Sequence, residues 1–242
     1  MCRDCGCSDS SSFLVADHLH HPVKLNGFHH SSPDQQAQLL AYNDQIAEHN
    51  RAHLAEMGVS CINLMSAPGS GKTLLLERLA PKLGQVWVIE GDLNGALDAD
   101  RLKRCGISAL QVQTGQACHL DAEMVHHALH QMPQPPPDLL VIENVGNLAC
   151  PADFDLGESR RIAMISVTEG DDKPLKYPNM MRCADLLLIS KIDLLPYVDF
   201  ELERCVGYAQ QINPDLKVLS LSAKTGQGLA DLIPYIKAKV RP

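Results

Sequence analysis

A strand-like run leads directly into a glycine-rich loop at residues 60–73. The apolar run Cys61–Met65 is typical of a buried parallel strand. In the loop, Gly69 and Gly71 permit a tight turn whose backbone N–H groups point at phosphate oxygens, and an apolar helical pattern follows. This order predicts a P-loop NTPase. The expected nucleotide-binding residues are Pro68, Gly69, Ser70, Gly71, Lys72 and Thr73.

Lys72 and Thr73 have chemical roles beyond binding. Lys72 supplies a positive charge to the phosphates, and the Thr73 hydroxyl is a ligand for Mg²⁺. Both are therefore expected to be catalytic. The apolar runs Trp87–Ile89 and Leu139–Ile142 are each followed closely by acidic residues, which predicts Asp92 as a third catalytic group and Asp92 and Glu143 as further magnesium ligands. Glu90 is better explained as a cap of the following helix.

Two loops much further along the chain predict a guanine site. Lys191 and Asp193 follow the apolar run Leu186–Ile189, and Ser222-Ala223-Lys224 follows Val218–Leu221. A carboxylate at Asp193 accepts from the two N–H donors of guanine, and a site built on such contacts rejects adenine. GTP and GDP are therefore the expected ligands. Ser190 replaces the usual asparagine of this loop, and we expect weaker hydrogen bonding there.

Soft ligands lie in two separate loops. Cys118-His119 precedes a helical pattern at 121–130, and Cys150 follows the Glu143 strand. Three such ligands suit Zn²⁺ or Ni²⁺, although the spacing is equally compatible with ordinary loop residues. His126, His127 and His130 fall within the helical pattern, which favours packed or solvated side chains.

The first 32 residues form a predicted flexible, metal-binding tail. Cys2, Cys5 and Cys7 are close enough together to bind Ni²⁺ or Zn²⁺, with reactive free thiols as the alternative. The odd total of nine cysteines argues against a disulfide framework. Five histidines at 18–30 are diluted by apolar residues, so this stretch is interpreted as a linker with auxiliary metal capture as the alternative.

Residues 33–242 are predicted to form one GTPase domain with a mainly parallel sheet and helices on both faces. A helix at about 33–57 precedes it, and 45% apolar residues suffice for a sizeable core. The net charge of −8 argues against nucleic acid as a binding partner. The sequence contains no long apolar run of the kind that would predict a membrane-spanning helix. A cytoplasmic location is expected. The predicted strands are Cys61–Met65, Val86–Glu90, Ala109–Val112, Leu139–Ile142, Ile162–Val167, Leu186–Ile189 and Val218–Leu221.

Five stretches of the chain match a known family. They are Asn43–Glu48, Asn63–Thr73, Gln116–Ala122, Ile142–Pro151 and Ser166–Pro178. Through them the chain resembles the HypB family, the nickel-insertion GTPases of nickel–iron hydrogenase maturation, from about residue 35 to residue 235. The chain departs from the family at Ser190, and at Asn94-Gly95, where family members tend to have Gln-Thr.

The resemblance implies specific sites and partners. It identifies Cys118, His119 and Cys150 as a metal site where two subunits meet. It also identifies Cys2–Cys7 as a nickel-binding motif at the N-terminus. It also implies slow GTP hydrolysis, a homodimer in the GTP-bound state, a HypA-like nickel accessory protein and the hydrogenase large subunit. Lys173 is a candidate for contacting phosphate across the dimer.

Two alternatives belong to other functional classes. A metabolic P-loop kinase with structural Cys and His residues would require an adenine site, which Lys191–Asp193 and Ser222–Lys224 argue against. A urease-type nickel-insertion GTPase would have a Cys-Pro-His metal motif, whereas Cys150 here is separate from Cys118-His119.

Overall fold

One eight-stranded sheet organises the computed structural model, which describes residues 14–15, 33–92, 97–115 and 117–238. All seven predicted strands are present. An additional pair of residues from the N-terminal tail forms the eighth. The strands are β1 (Leu14–Val15), β2 (Ser60–Ser66), β3 (Val86–Asp92), β4 (Ser108–Gln113), β5 (Leu139–Glu143), β6 (Arg160–Ser166), β7 (Leu186–Ser190) and β8 (Lys217–Ser220).

The strand order is β1-β4-β3-β5-β2-β6-β7-β8, and every neighbouring pair is parallel except β1–β4. The predicted mainly parallel sheet is therefore confirmed. β2 lies near the centre, between β5 and β6. The carboxyl ends of the parallel strands meet at one edge of the sheet, which is where open α/β sheets bind ligands.

Eight α-helices connect and flank these strands in the described part of the chain. Two short 3₁₀ segments, Cys150–Asp153 and Ile192–Tyr197, follow β5 and β7. The helices are α1 (Pro33–Glu56), α2 (Lys72–Leu83), α3 (Leu97–Arg104), α4 (Ala122–Leu129), α5 (Lys173–Lys176), α6 (Pro178–Cys183), α7 (Leu202–Ile212) and α8 (Leu229–Lys237).

The sheet is covered on both faces, as the sequence predicted. Side chains such as Ile62 and Val141 pack against α2, α3 and α8. On the opposite face, Cys61 and Leu140 pack against α1 and α4, and Ile165 packs against α6 and α7. The strands from β3 to β7 in the centre of the sheet, which are β3, β5, β2, β6 and β7, are buried on both faces, which explains their nearly continuous apolar sequences.

Helix α1 is fixed to the domain by buried asparagines. Asn43 donates a 2.8 Å hydrogen bond to the carbonyl oxygen of Asp155 and accepts one of 2.9 Å from the N–H of Ala122. Gly157 lies directly under the helix, since a Cβ there would be 2.6 Å from the carbonyl oxygen of Ala47. The predicted N-terminal helix is thus confirmed as part of the packed domain. None of the described helices is long and apolar enough to span a membrane.

Candidate nucleotide and metal sites

The phosphate loop connects the end of β2 to the start of α2. Gly69 and Gly71 have φ angles of +75° and +102°, which favour glycine. Lys72 Nζ donates a 3.1 Å hydrogen bond to Ser66 Oγ, so its charge lies over the loop. Ser70 Oγ donates a 2.7 Å hydrogen bond to Glu169 Oε1, a loop contact that the sequence did not predict. This geometry fits the predicted phosphate-binding role.

Two of the three expected magnesium ligands are in direct contact. Thr73 Oγ1 donates a 2.8 Å hydrogen bond to Glu143 Oε1, and both side chains are buried. Burial raises the pKa of Glu143 to about 7, although the Lys72 charge and the Thr73 hydroxyl oppose the rise. Asp92 ends β3, two residues beyond the Glu90 that pairs with Glu143 in the sheet. All three residues therefore lie at the same edge.

A row of buried polar side chains crosses this edge, and sequence reasoning missed two of its three members. In register, Glu90 is the neighbour of Glu143 on β5 and of Gln111 on β4. The interpretation of Glu90 as a helix cap is wrong, because it lies inside β3 and is only 4% exposed. Burial raises its pKa to about 8, and Glu143 adds to the rise.

Several polar atoms of this row have no hydrogen-bond partner within the described residues. They are Glu90 Oε2, Glu143 Oε2, and both the oxygen and the nitrogen of the Gln111 amide. Buried polar groups are nearly always paired in folded proteins, so these atoms indicate that water or an ion belongs beside them. Oxygen ligands of this kind suit Mg²⁺. The sequence contains a signal that could have identified these residues, because Glu90 and Gln111 are polar residues that interrupt apolar strands.

The predicted guanine loops lie side by side at the ends of β7 and β8. Ser222 Oγ donates a 2.6 Å hydrogen bond to Asp193 Oδ1, and Lys191 has a left-handed φ of +59°. Ser190 Oγ donates a 2.8 Å hydrogen bond to the carbonyl oxygen of Ser70. The serine that replaces asparagine thus retains a connection to the phosphate loop. Ala223 is buried and Lys224 is exposed in the same loop.

Cys118, His119 and Cys150 form a group that can hold a metal ion, with ligand atoms all within 4.8 Å of one another. The two sulfurs are 2.7 Å apart, and Cys118 Sγ is 3.7 Å from His119 Nδ1. The His119 ring stacks on Phe154 at a centroid distance of 3.9 Å. The two loops named from sequence therefore do converge.

The protonation states of this group are set mainly by burial. Burial lowers the pKa of His119 to about 4, so its ring is neutral at pH 7. Burial, together with the hydrogen bond and charge of Cys118, raises the pKa of Cys150 to about 11. Metals bind neutral imidazole and thiolate. The histidine is therefore ready to bind, whereas Cys150 must first lose a proton.

Comparison with known proteins identifies the family. A family model described as "CobW/HypB/UreG, nucleotide-binding domain" matches residues 60–220. The hydrogenase maturation factor HypB of Azotobacter vinelandii is 49% identical over 202 residues, covering 82% of this chain and 67% of that protein. The chain belongs to the HypB family. The kinase interpretation is therefore set aside, and the resemblance noted from the sequence motifs is confirmed.

Solved HypB structures have the same fold. The crystal structure of HypB from Helicobacter pylori in complex with nickel matches with a TM-score of 0.78 and 41% identity, covering 80% of this chain and 93% of that chain. HypB from Archaeoglobus fulgidus matches with a TM-score of 0.77 and 44% identity, covering 82% and 98%. The predicted P-loop fold class is thereby confirmed for this HypB-family chain.

Some predicted features lie outside the described residues. These are Cys2, Cys5 and Cys7, the histidines at 18–30, and Asn94-Gly95. Lys173, the candidate for contact across a dimer, begins α5 and lies 5.4 Å from the centre of the Tyr177 ring. Its loop approaches the phosphate loop through the Glu169–Ser70 hydrogen bond.

Proposed function

We propose that this HypB-family chain is a GTP-hydrolysing metallochaperone that delivers nickel during nickel–iron hydrogenase maturation in the cytoplasm. Residues 33–242 form the GTPase domain and residues 1–32 a metal-binding tail. Its relatives are hydrogenase maturation factors, which supports a role in maturation, and the nickel complex of the Helicobacter pylori protein supports nickel as the cargo. The converging Cys118, His119 and Cys150 supply a site for that ion.

One side chain connects the two candidate sites, and it is the observation that carries the proposal. Asn144 directly follows Glu143, whose carboxylate contacts Thr73. The Asn144 oxygen accepts hydrogen bonds from the N–H groups of Leu120, at 3.1 Å, and Val145, at 2.9 Å. Leu120 is the residue after His119. A shift of Glu143 when the nucleotide changes is thereby transmitted to the metal group over a few residues.

The nucleotide site fits GTP and Mg²⁺. Asp193, with Lys191 and the Ser222–Lys224 loop, selects guanine, and Thr73, Asp92 and Glu143 would hold the magnesium ion. The unpaired oxygens of Glu90 and Glu143 support a cation there. When bound, Mg²⁺ neutralises charge on the phosphates. Lys72 stabilises the same charge on the phosphates, and intrinsic hydrolysis is slow.

Metal binding and dimerisation are proposed to be coupled. Three ligands from one chain leave a tetrahedral ion incomplete, and a second copy of the site can complete its coordination. The GTP-bound state favours the homodimer, with Lys173 directed toward the partner's phosphates. Ni²⁺ or Zn²⁺ then exchanges between this site, the tail cysteines, a HypA-like accessory protein and the hydrogenase large subunit.

The test is a Ni²⁺ titration of the full chain with GDP and with a non-hydrolysable GTP analogue, followed by sedimentation of each state. We expect the two Ni²⁺ affinities at the Cys118 site to differ by roughly 5–150-fold, the usual range of allosteric coupling. By linkage, Ni²⁺ changes dimerisation of the GTP state by the same factor. Identical Ni²⁺ affinities in both states would exclude the switch and leave a passive metal site.

Variants distinguish the role of Asn144, which connects the two sites, from the role of the metal-binding cysteines. Asn144→Ala should reduce the coupling while both nucleotide and metal still bind, because it removes the hydrogen bond to the N–H of Leu120. Cys118→Ser should abolish both metal binding at this site and its effect on dimerisation. Cys105→Ser is the matched control, because Cys105 is an exposed free thiol outside the group.

A further inference from the structure

Four histidines meet where α1 packs against α4, away from the cysteine group. His49 and His53 come from α1, His126 comes from α4, and His130 is the C-cap residue of α4. Each pair has i, i+4 spacing, which places both rings on one face of its helix. The ring centroids of His49 and His126 are 5.1 Å apart, those of His126 and His130 4.7 Å, and those of His53 and His130 6.3 Å.

The tautomer of His126 is fixed by its buried neighbour Asn50. The Asn50 amide nitrogen donates to the carbonyl oxygens of Ala122, at 2.8 Å, and Leu156, at 3.2 Å. The amide oxygen is therefore the atom that faces His126 Nδ1, at 3.0 Å. His126 Nδ1 must carry the hydrogen, and Nε2 keeps its lone pair. A carbonyl oxygen that accepts from one ring nitrogen, and so orients the other toward an ion, is typical of metal-binding histidines.

The lone pair of His126 Nε2 points at a second ring nitrogen. His130 Nε2 lies 3.2 Å away. Two nitrogens bound to one tetrahedral ion at about 2.0–2.1 Å lie about 3.3 Å apart, so the pair already has the separation of two ligands of one ion. When no ion is bound, the Nε2–H group of His130 can donate a hydrogen bond to His126 Nε2.

His53 adds a third nitrogen with no partner. Its Nδ1 atom is buried and has no hydrogen-bond partner within the described residues. An unpaired buried nitrogen costs free energy, and coordination of an ion would satisfy it. Binding by all four rings requires His49 and His53 to rotate toward the His126–His130 pair. His49 is exposed, so its rotation meets little resistance.

Two of the four rings, those of His126 and His130, are held in the neutral form that binds metals. Burial lowers the pKa of His126 to about 4, and the charges of His130, His49, His127 and His53 lower it further. Burial, followed by the charges of the neighbouring histidines, also lowers the pKa of His130. Neutral imidazole is the ligating form, so little proton competition is expected at pH 7.

We propose that His49, His53, His126 and His130 form a second metal site in the described domain, selective for a divalent ion that prefers imidazole, such as Ni²⁺ or Zn²⁺. Imidazole suits both ions. The site is independent of the Cys118 group and does not require the proposed GTPase cycle. It would hold an additional equivalent of metal on the face formed by α1 and α4.

The test counts metal equivalents on the full chain. Equilibrium dialysis against Zn²⁺ and Ni²⁺, buffered in the micromolar range, compares the native chain with His49→Gln/His130→Gln. Both substituted residues are exposed, and thermal melting checks that the variant is folded. We expect the variant to bind one equivalent fewer of each metal. An unchanged number of equivalents would overturn the site.

Nitrogen NMR of the histidine rings in the native chain gives a readout that needs no variant. Zn²⁺ should shift the His126 Nε2 resonance strongly and leave Nδ1 protonated. A His126 Nε2 resonance unmoved by saturating Zn²⁺ would overturn the proposal.

Discussion

Ser190 Oγ donates a 2.8 Å hydrogen bond to the carbonyl oxygen of Ser70, although the residues are 120 positions apart in the chain. Both side chains are almost fully buried. The bond connects the end of β7, where the guanine loop begins, to the middle of the phosphate loop. The two halves of the nucleotide site are therefore held together before any nucleotide binds.

Removal of this hydroxyl should weaken nucleotide binding. A hydrogen bond contributes about 0.5–1.5 kcal/mol, so Ser190→Ala is expected to reduce GTP and GDP affinity by up to about tenfold. Fluorescent nucleotide titration measures the change. Ser190→Asn, which restores the amide usual in this loop, serves as the control and should retain affinity. Equal affinities for Ser190→Ala and the native chain would show that the bond has no role in the site.

Asp193→Asn should change the base that is recognised. The amide presents a donor where the carboxylate presents an acceptor, so guanine loses a partner and xanthine gains one. The Asn side chain can still accept from Ser222 Oγ, so the loop geometry is retained. Competition between GTP, XTP and ATP measures the preference. An unchanged preference for GTP would remove Asp193 from the guanine site.

Metal affinity at the Cys118 group should rise with pH. The pKa of Cys150 is about 11, so at pH 7 this thiol is protonated and must release its proton when metal binds. The pKa of His119 is about 4, so it releases none. Affinity should therefore increase at least about tenfold per pH unit between about pH 6 and 8. Zn²⁺ competition titrations on a chain lacking residues 1–7 would show this slope, and a flat profile would contradict the thiolate assignment.

Deletion of Met1–Cys7 should separate metal binding from hydrolysis. If Cys2, Cys5 and Cys7 bind Ni²⁺, the deletion removes one equivalent together with its thiolate charge-transfer absorption. GTP hydrolysis should be unchanged, because the phosphate and guanine loops lie within residues 66–224. Cys105→Ser in the full chain controls for the loss of an unrelated thiol. An equal loss of hydrolysis would make the tail part of the catalytic domain.

Much of the fold could be predicted from sequence because its central strands are buried on both faces. Such strands have continuous apolar sequences, and all seven parallel strands were recognised from them. The loops that follow β2, β7 and β8 were located from sequence because motifs of the kind proposed here to bind phosphate and guanine are restricted to few residue types. Thr73 and Glu143, which the sequence analysis named separately as magnesium ligands, are in direct contact in the structure.

Contacts between strands distant in sequence could not be predicted. The neighbours of Glu90, which are Gln111 and Glu143, depend on the strand order, and no single-strand pattern encodes that order. The Asn144–Leu120 and Ser70–Glu169 hydrogen bonds depend on tertiary packing in the same way. His126 and His130 were interpreted as packed or solvated side chains, because the sequence does not show which helices meet.

The 2.7 Å separation of the Cys118 and Cys150 sulfurs makes the empty group sensitive to oxidation. A two-electron oxidant can join the two thiols in a disulfide, and a divalent ion requires the same two sulfurs as thiolates. Oxidant and metal therefore compete for one pair of atoms. The protonated state of Cys150 slows the reaction at neutral pH, because the thiolate is the reactive form. Reducing conditions are consequently as important as metal supply in determining whether this site can be loaded.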